Sequence, residues 1–338
     1  MLNYSGCICK PQISNLKSQI KILPLYHNSL TEMEKTKHFA ASVGFFDGVH
    51  RGHQFLIERL RLVAEERGLD SMIVTFAQHP RQVLQKDWHP RLLSTLNEKR
   101  SRLLMTGIDR LEVLEFDLGM SRLSAREFME QVLRKQLNVR TLLTGYDNRF
   151  GHGRKECFED YVAYGREMGV EVLCADALVA EGLPLQGRIS SSYIRTLLEE
   201  GKADEAQVCL GYPYEMSGHV VQGEMIGRHL GFPTANLLPD DPSKLVPGNG
   251  VYAVKVLIEG RYEVYNGITN IGMRPTFDGH QTTIETHLLD FDGNIYDHRM
   301  TIRLLTRLRD ERQFPDRESL VRQMEEDKTR AMKILKTD

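Results

Sequence analysis

The sequence predicts an α/β half built on a parallel sheet, followed by an all-β half: a small antiparallel barrel closed by a C-terminal helix. Three observations predict it. In the first half, short apolar runs such as FAASVGFF, SMIVTF and RTLLTG alternate with amphipathic segments, as strands covered by helices on both faces require. From about Leu210 onward, longer runs alternate with period two and are joined by tight turns, the signature of a barrel built from hairpins. Only the tail, from Asp316 through MEEDKTRAMKIL, reads there as a long helix. The expected organisation is a disordered or extended segment 1–18, an α/β domain 19–205 and a barrel domain 206–338.

Composition narrows the class. At 338 residues, with 41% hydrophobic and 27% charged side chains, the chain suits two soluble domains of ordinary size. A formal net charge of -2 argues against non-specific nucleic-acid binding, which rests on clustered Lys and Arg. No apolar run approaches the roughly 20 residues that span a bilayer, and no signal-peptide pattern appears. Cys7, Cys9, Cys157, Cys174 and Cys209 are scattered and form no CxxC pair, so reduced thiols in a cytoplasmic protein are expected.

Taken in order, Gln19–His27 (QIKILPLYH) suggests a short peripheral strand, and Met33 offers an alternative start. FAASVGFF is the first strand of the alternating series. QFLIERLRLVAEERG follows as a helix, with Leu56, Leu60, Val63 and Ala64 on one face and Gly68 as its C-terminal stop. SMIVTF is a strand. Thr95 with Glu98 forms a capping box for a helix carrying Leu96, Leu103 and Leu104, and Ser124 with Glu127 forms another for a helix carrying Phe128, Val132 and Leu133. RLEVLEF, RTLLTG and VEVLCA are strands, with a helix through Tyr161 before the last. In the barrel half, turns are expected at Glu259-Gly260 and, as a strong hairpin signal, at Asp292-Gly293.

In parallel sheets ligands gather beyond the carboxyl ends of the strands. The richest such turn is GFFDGVHRGH, Gly44 to His53. His50 and His53 fall at the start of the following helix, where unpaired N–H groups favour an anion. Gly48 and Gly52 allow phosphate to approach the backbone, Asp47 stands alongside, and two imidazoles can donate to charge on a phosphoryl group. TFAQHP places His79 after the second strand. GYDNRFGHGRK offers Asp147, Asn148, Arg149, Arg154 and Lys155 after RTLLTG. In RISSSYIR the serines read as an N-cap, with Arg195 one turn in. Each has a plain structural reading: a capped helix, a basic loop or a turn histidine. Their convergence on strand ends of one sheet favours a nucleotide site.

GFFDGVHRGH, TFAQHP, YDNRFG and ISSSYIR resemble the nucleotidyltransferase half of the bifunctional prokaryotic riboflavin kinase/FMN adenylyltransferases, the FAD synthetases. GRHLGFPTANL, PGNGVYAV, NGITNIGMRPTF and ETHLLDFDGNIYD resemble their riboflavin kinase half. The likeness runs from about Gln19 to the C-terminus in the right order. It implies a Rossmann-like nucleotidyltransferase domain and a kinase barrel that together convert riboflavin to FMN and FMN to FAD. ATP is the co-substrate and Mg²⁺ the metal. Ala77-Gln78 stands where the family usually has glutamate and proline, Asn148 where it has phenylalanine, and Ser192 where it has threonine.

The resemblance also assigns roles. His50, His53 and Arg195 would serve adenylyl transfer, with Gly44, Phe45, Asp47, Gly52, Ser190 and Ser191 around ATP, and His79, Asp147 and Asn148 around the flavin. In the barrel, Glu285 would be the base for the ribityl hydroxyl, and Thr234 and Asn236 hard-oxygen ligands for Mg²⁺. Gly227, Arg228 and Gly231 would close over phosphates, and Asn270 would meet the flavin. On alternation alone, Glu285 either faces solvent or serves a site. Expected partners are riboflavin, FMN and ATP, without nucleic acid or membrane; self-association is left open. Two rival readings are a nucleotidyltransferase for another substrate with an accessory barrel, and a flavin- or RNA-sensing module. GFPTAN with Glu285 speaks against the first. The full set His50, His53, Arg195, Asn236 and Glu285 speaks against the second.

Overall fold

The computed structural model describes residues 37–85, 87–89, 91–146, 148–176, 178, 189–223, 231–276 and 279–336. The expectations for 1–18, for Gln19–His27 and for Asp147, Gly227 and Arg228 lie outside them.

Five parallel strands, β1 (Phe39–Val43), β2 (Asp70–Phe76), β3 (Arg110–Leu114), β4 (Val139–Gly145) and β5 (Glu171–Ala175), form one sheet in the order β3-β2-β1-β4-β5. The order reverses beside β1, which makes the end of β1 the switch point where such sheets bind ligands. Both faces are covered because neighbouring side chains point opposite ways. Ala40, Ile73 and Leu143 pack on one side with Ile57, Leu60 and Ala64 of α1 (Arg51–Glu66). Ala41, Met72, Val74 and Leu142 pack on the other with Phe128, Met129, Val132, Leu133 and Tyr161.

Both capping boxes form. Thr95 heads α3 (Leu96–Met105), which follows the short α2 (Pro80–Leu84), and Ser124 heads α4 (Ala125–Glu127), which runs on as a π-helix, Phe128–Gln136. The inward face of α3 differs from the expected one: Leu103 is buried, but Leu104 is 53% exposed and Lys99 takes an inner place. Tyr161 lies in α5 (Phe158–Met168), ahead of β5.

Two helices, α6 (Ser191–Glu199) and α7 (Ala203–Leu210), lead to six antiparallel strands. These are β6 (Tyr214–Val221), β7 (Ala235–Pro239), β8 (Gly250–Ile258), β9 (Val264–Thr276), β10 (Gly279–Leu288) and β11 (Arg299–Arg309), closed as β10-β7-β6-β11-β8-β9. The boundary expected between residues 205 and 206 falls inside α7. Ile194, Leu197, Leu198, Ala203, Ala206 and Leu210 share one apolar core with the barrel interior. The C-terminal helix α8 (Arg317–Leu335), capped by Asp316, lays Ala331 and Leu335 on Val251, Ala253, Leu305 and Leu308.

The hairpin expected at Asp292-Gly293 is overturned. β10 pairs with β9 and β7, whereas β11 pairs with β6 and β8, so residues 289–298 cross between strands that are not neighbours. Closure is the cause: each of these strands already has both edges occupied. The left-handed residues there are Asp290 and Asp297, at φ 53° and 63°, and not Gly293. The β8–β9 connection at Glu259-Gly260 does form a hairpin, with Leu257 opposite Val264.

Candidate active sites

The chain leaves β1 through a turn in which Phe46, Gly48 and Val49 all adopt positive φ, at 56°, 76° and 39°. For the two non-glycine residues this costs about 1–3 kcal/mol each, and such strain persists only where surroundings over-determine it. Here they do. Asp47, 3% exposed, accepts hydrogen bonds from Leu93 N (3.1 Å), Ser94 N (3.0 Å) and Ser94 Oγ (3.2 Å), and pairs with an Arg195 Nη at 2.5 Å. Gly48 N donates to Ser94 Oγ, Tyr212 donates to the Gly48 carbonyl, and Ser191 Oγ donates to the Asp47 carbonyl. Lys99 Nζ donates to the carbonyls of Phe45 (3.1 Å) and Phe76 (2.8 Å), tying the end of β1 to the end of β2.

The turn delivers His50 as the N-cap of α1. Its Nδ1 accepts from His53 N at 3.4 Å, so the neutral ring carries its proton on Nε2 and presents a donor there. The His50 and His53 rings stack at 3.7 Å, with 17° between planes. Burial pushes His50 down to about 4, against Asp47 and with Arg195. Burial, then His50 and Lys99, hold His53 well below its usual value. His53 Nδ1 is buried and meets no hydrogen-bond partner. Both rings line a cavity of about 280 Å³ with Gly52, Ser190 and Ser191, closed further by Tyr146 and Asp176. A side chain at Gly52 would press on the His50 ring at 3.2 Å.

The other predicted residues of this half are placed differently. The Asp47 carboxylate is engaged by protein donors, and Arg195, besides Asp47, holds the Arg91 carbonyl at 2.7 Å. His79 caps α2, contacts Phe45 edge-on at 4.6 Å and lies 4.7 Å from Trp88; burial pushes it down to about 4. Asn148 Nδ2 donates to the last carbonyl of β1, Val43, at 2.5 Å. Gly44 N bonds the Val74 carbonyl.

The barrel brings its predicted residues together. Glu285 on β10 stands opposite Asn236 on β7 and Asn270 on β9. All three face, with Thr234, a cavity of about 370 Å³. Ile284 and Thr286 are buried instead, Ile284 in the barrel core and Thr286 against Thr269. Gly223 approaches so closely that a Cβ there would lie 2.2 Å from Asn236 Nδ2. Gly231, at φ 86°, precedes Phe232 in the turn leading to Thr234. Thr234 also lines a second cavity of about 570 Å³, beside Leu288, Phe291 and Tyr296.

Several neighbours were not singled out from sequence. Arg274 pairs with Glu285 at 3.2 Å. His287 donates through Nδ1 to the Pro233 carbonyl at 2.8 Å, bracing the Thr234 turn. Asp327 of α8 holds Arg309 at 2.9 Å on the cavity wall. A signal existed for Asp327: with Gln323, Ala331 and Leu335 it repeats every four residues on the buried face of α8. None existed for Lys99, one charge among many in LNEKRSRLLM.

Residues 32–193 match the family model described as FAD synthetase, and residues 210–335 match that described as riboflavin kinase. A bifunctional riboflavin kinase/FMN adenylyltransferase of Bacillus subtilis (strain 168) is 36% identical over 93% of this chain and 98% of its own. The protein of that description from Pseudomonas fluorescens is 37% identical over 83% and 88%, and that from Escherichia coli (strain K12) 35% over 86% and 90%. A solved structure described as a macrolide-efflux protein from Streptococcus pneumoniae matches with TM-score 0.78 at 32% identity, covering 87% of this chain and 94% of that one. No helix among the described residues is long and apolar enough to cross a membrane. With both halves matched and relatives covered nearly end to end, the chain belongs to the bifunctional riboflavin kinase/FMN adenylyltransferase family.

Proposed function

We propose that this chain makes FAD in two ATP-dependent steps, phosphorylating riboflavin in the barrel and adenylylating FMN at the sheet. The observation that carries the reading is the presence of separate cavities in the two halves. One is headed by His50 and His53 at the start of α1, the other by Glu285 between Asn236 and Asn270.

In adenylyl transfer a phosphate oxygen of FMN attacks the α-phosphorus of ATP, and the bond to the β-phosphate oxygen breaks, releasing pyrophosphate. The nucleophile is already anionic, so the obstacle is charge at the α-phosphate rather than a proton. His50 Nε2–H, the His53 ring and the start of α1 answer that charge from a largely buried wall, where donors are most effective. Ser190 and Ser191 face the same cavity, and Asp176 offers an acceptor for ribose hydroxyls. Asp47 and Arg195 act by holding the turn in shape. His79 beside Phe45 and Trp88 gives an aromatic surface suited to a flavin.

In the kinase step the ribityl hydroxyl attacks the γ-phosphorus, its proton passes to Glu285, and ADP leaves. The cavity lined by Glu285, Asn270 and Arg309 takes the flavin. The one beside Phe291 and Tyr296 takes the nucleotide, and Thr234 lies on the wall of both. Among the described residues no group of three His, Cys, Asp or Glu side chains is set to hold a metal. The oxygens of Thr234 and Asn236 are hard donors and would hold Mg²⁺, which supplies positive charge to the phosphates when bound. Free thiols at Cys157, Cys174 and Cys209 suit a reducing cytoplasm.

Replacing His53 with alanine lowers FMN adenylylation by about 100-fold, the scale of losing one transition-state donor, with riboflavin phosphorylation intact. Equal loss of both in folded protein would contradict the assignment. Glu285→Gln lowers riboflavin phosphorylation by about 100-fold or more and spares adenylylation of supplied FMN; unchanged phosphorylation rules Glu285 out as base. For pH, the folded His50 value lies near 4, below about 6.5 for the unfolded chain. The unfolded state therefore binds more protons in that window, and the stability tied to neutral His50 is complete above it and lost as pH falls through about 4. Moving from pH 7 to pH 5 removes about 2 kcal/mol through this group. His50→Asn should shrink the gap between urea midpoints at the two pH values, and an unchanged gap would refute the shift.

A further inference from the structure

We propose that Lys244, which lies in the barrel half between β7 and β8, is a positioning residue for adenylyl transfer at the sheet. The inference rests on the reading that His50, His53, Asp47 and Arg195 build the adenylyl-transfer site.

Lys244 is 7% exposed. Its Nζ donates to the Leu93 carbonyl at 2.8 Å and to Glu98 Oε2 at 2.6 Å. The backbone beside it is locked to the same segment. Leu92 and Lys244 form a parallel bridge, with Leu92 N bonded to the Ser243 carbonyl (2.7 Å) and Leu245 N to the Leu92 carbonyl (2.8 Å). Residues 91–95 therefore belong equally to the sheet's edge of the site and to the barrel.

The decisive detail is which peptide Lys244 grips. The Leu93 carbonyl and the Ser94 N–H are two ends of one peptide unit. Lys244 binds the oxygen end, and the N–H end donates to Asp47 Oδ1 at 3.0 Å. A buried ammonium thus polarises the amide that holds the buried carboxylate, and hydrogen bonds in series strengthen one another in a medium of low dielectric. Beyond Asp47 stands Arg195, also tied to the segment through the Arg91 carbonyl. Cation, peptide, carboxylate and guanidinium form one line that ends at the strained turn delivering His50. Glu98 keeps the ammonium in place and caps α3 through Thr95 N at 2.9 Å.

The test uses the full chain, whose kinase activity reports on the barrel that carries Lys244. Lys244→Met is expected to lower kcat/KM for FMN adenylylation by about 10-fold or more, the scale of one charge-assisted hydrogen bond. Riboflavin phosphorylation should stay within about twofold. Because Lys244→Met strands Glu98, the double variant Lys244→Met/Glu98→Gln removes the unpaired charge; its adenylylation should remain low with kinase activity and melting temperature preserved. A merely structural role would lower the melting temperature of the double variant along with its adenylylation, since both partners of the Lys244 side chain lie in the α/β half. Parallel loss of both activities, or normal adenylylation in the double variant, overturns the proposal. Asp47→Asn separates the two levels. If it leaves adenylylation intact, the site reading itself fails; if it abolishes adenylylation and Lys244→Met does not, only the role of Lys244 fails.

Discussion

One buried carboxylate governs this structure. Asp47 gathers three hydrogen bonds and a guanidinium on a side chain that is 3% exposed. Without those partners a buried charge would cost several kcal/mol. With them, it fixes a turn whose Phe46 and Val49 sit at positive φ. The geometry of the histidine pair follows. His50 can cap α1 and stack on His53 only because the chain reverses sharply between β1 and α1. Strain at the turn and a His50-capped helix start follow from that single knot, whereas burial keeps the imidazoles neutral against the pull of Asp47 on His50.

Most of the architecture was legible in the sequence because it depends on local periodicity. Hydrophobic patterns placed the sheet strands and the longer helices, Thr/Ser–Glu spacing placed the two capping boxes, and turn chemistry placed the Glu259-Gly260 hairpin. The Asp292-Gly293 signal misled for a physical reason. A turn-forming dipeptide proposes a hairpin, but barrel closure decides which edges remain open, and β10 and β11 had none for each other. In α3, Lys99 takes an inner place, where it donates to two strand-end carbonyls, from Phe45 and Phe76, while Leu104 stays exposed.

The sites were legible as motifs and much less so as contacts. His50 and His53 line one cavity, and Glu285, Asn236, Asn270 and Thr234 line another. Asp47, Arg195 and Asn148 instead bind protein groups, in each case across more than one hundred residues of sequence or through a loop that no spacing rule connects. Such partners as Ser94 and Lys244 carry no local signature. A serine after two leucines, or a lysine in a proline-flanked loop, acquires meaning only when the fold brings it to a carboxylate or a carbonyl.

The central claim is that one polypeptide holds two ATP-using sites through which riboflavin passes in turn. The most direct measurement incubates the full chain with riboflavin and Mg²⁺, supplying ATP labelled at the γ-phosphate in one reaction and at the α-phosphate in another, and separates the flavins by chromatography. The account predicts γ label in FMN first and later in FAD, and α label in FAD alone. Flavin that acquires γ label but never α label would contradict it, as would FAD that carries α label without the γ label in its flavin-side phosphate.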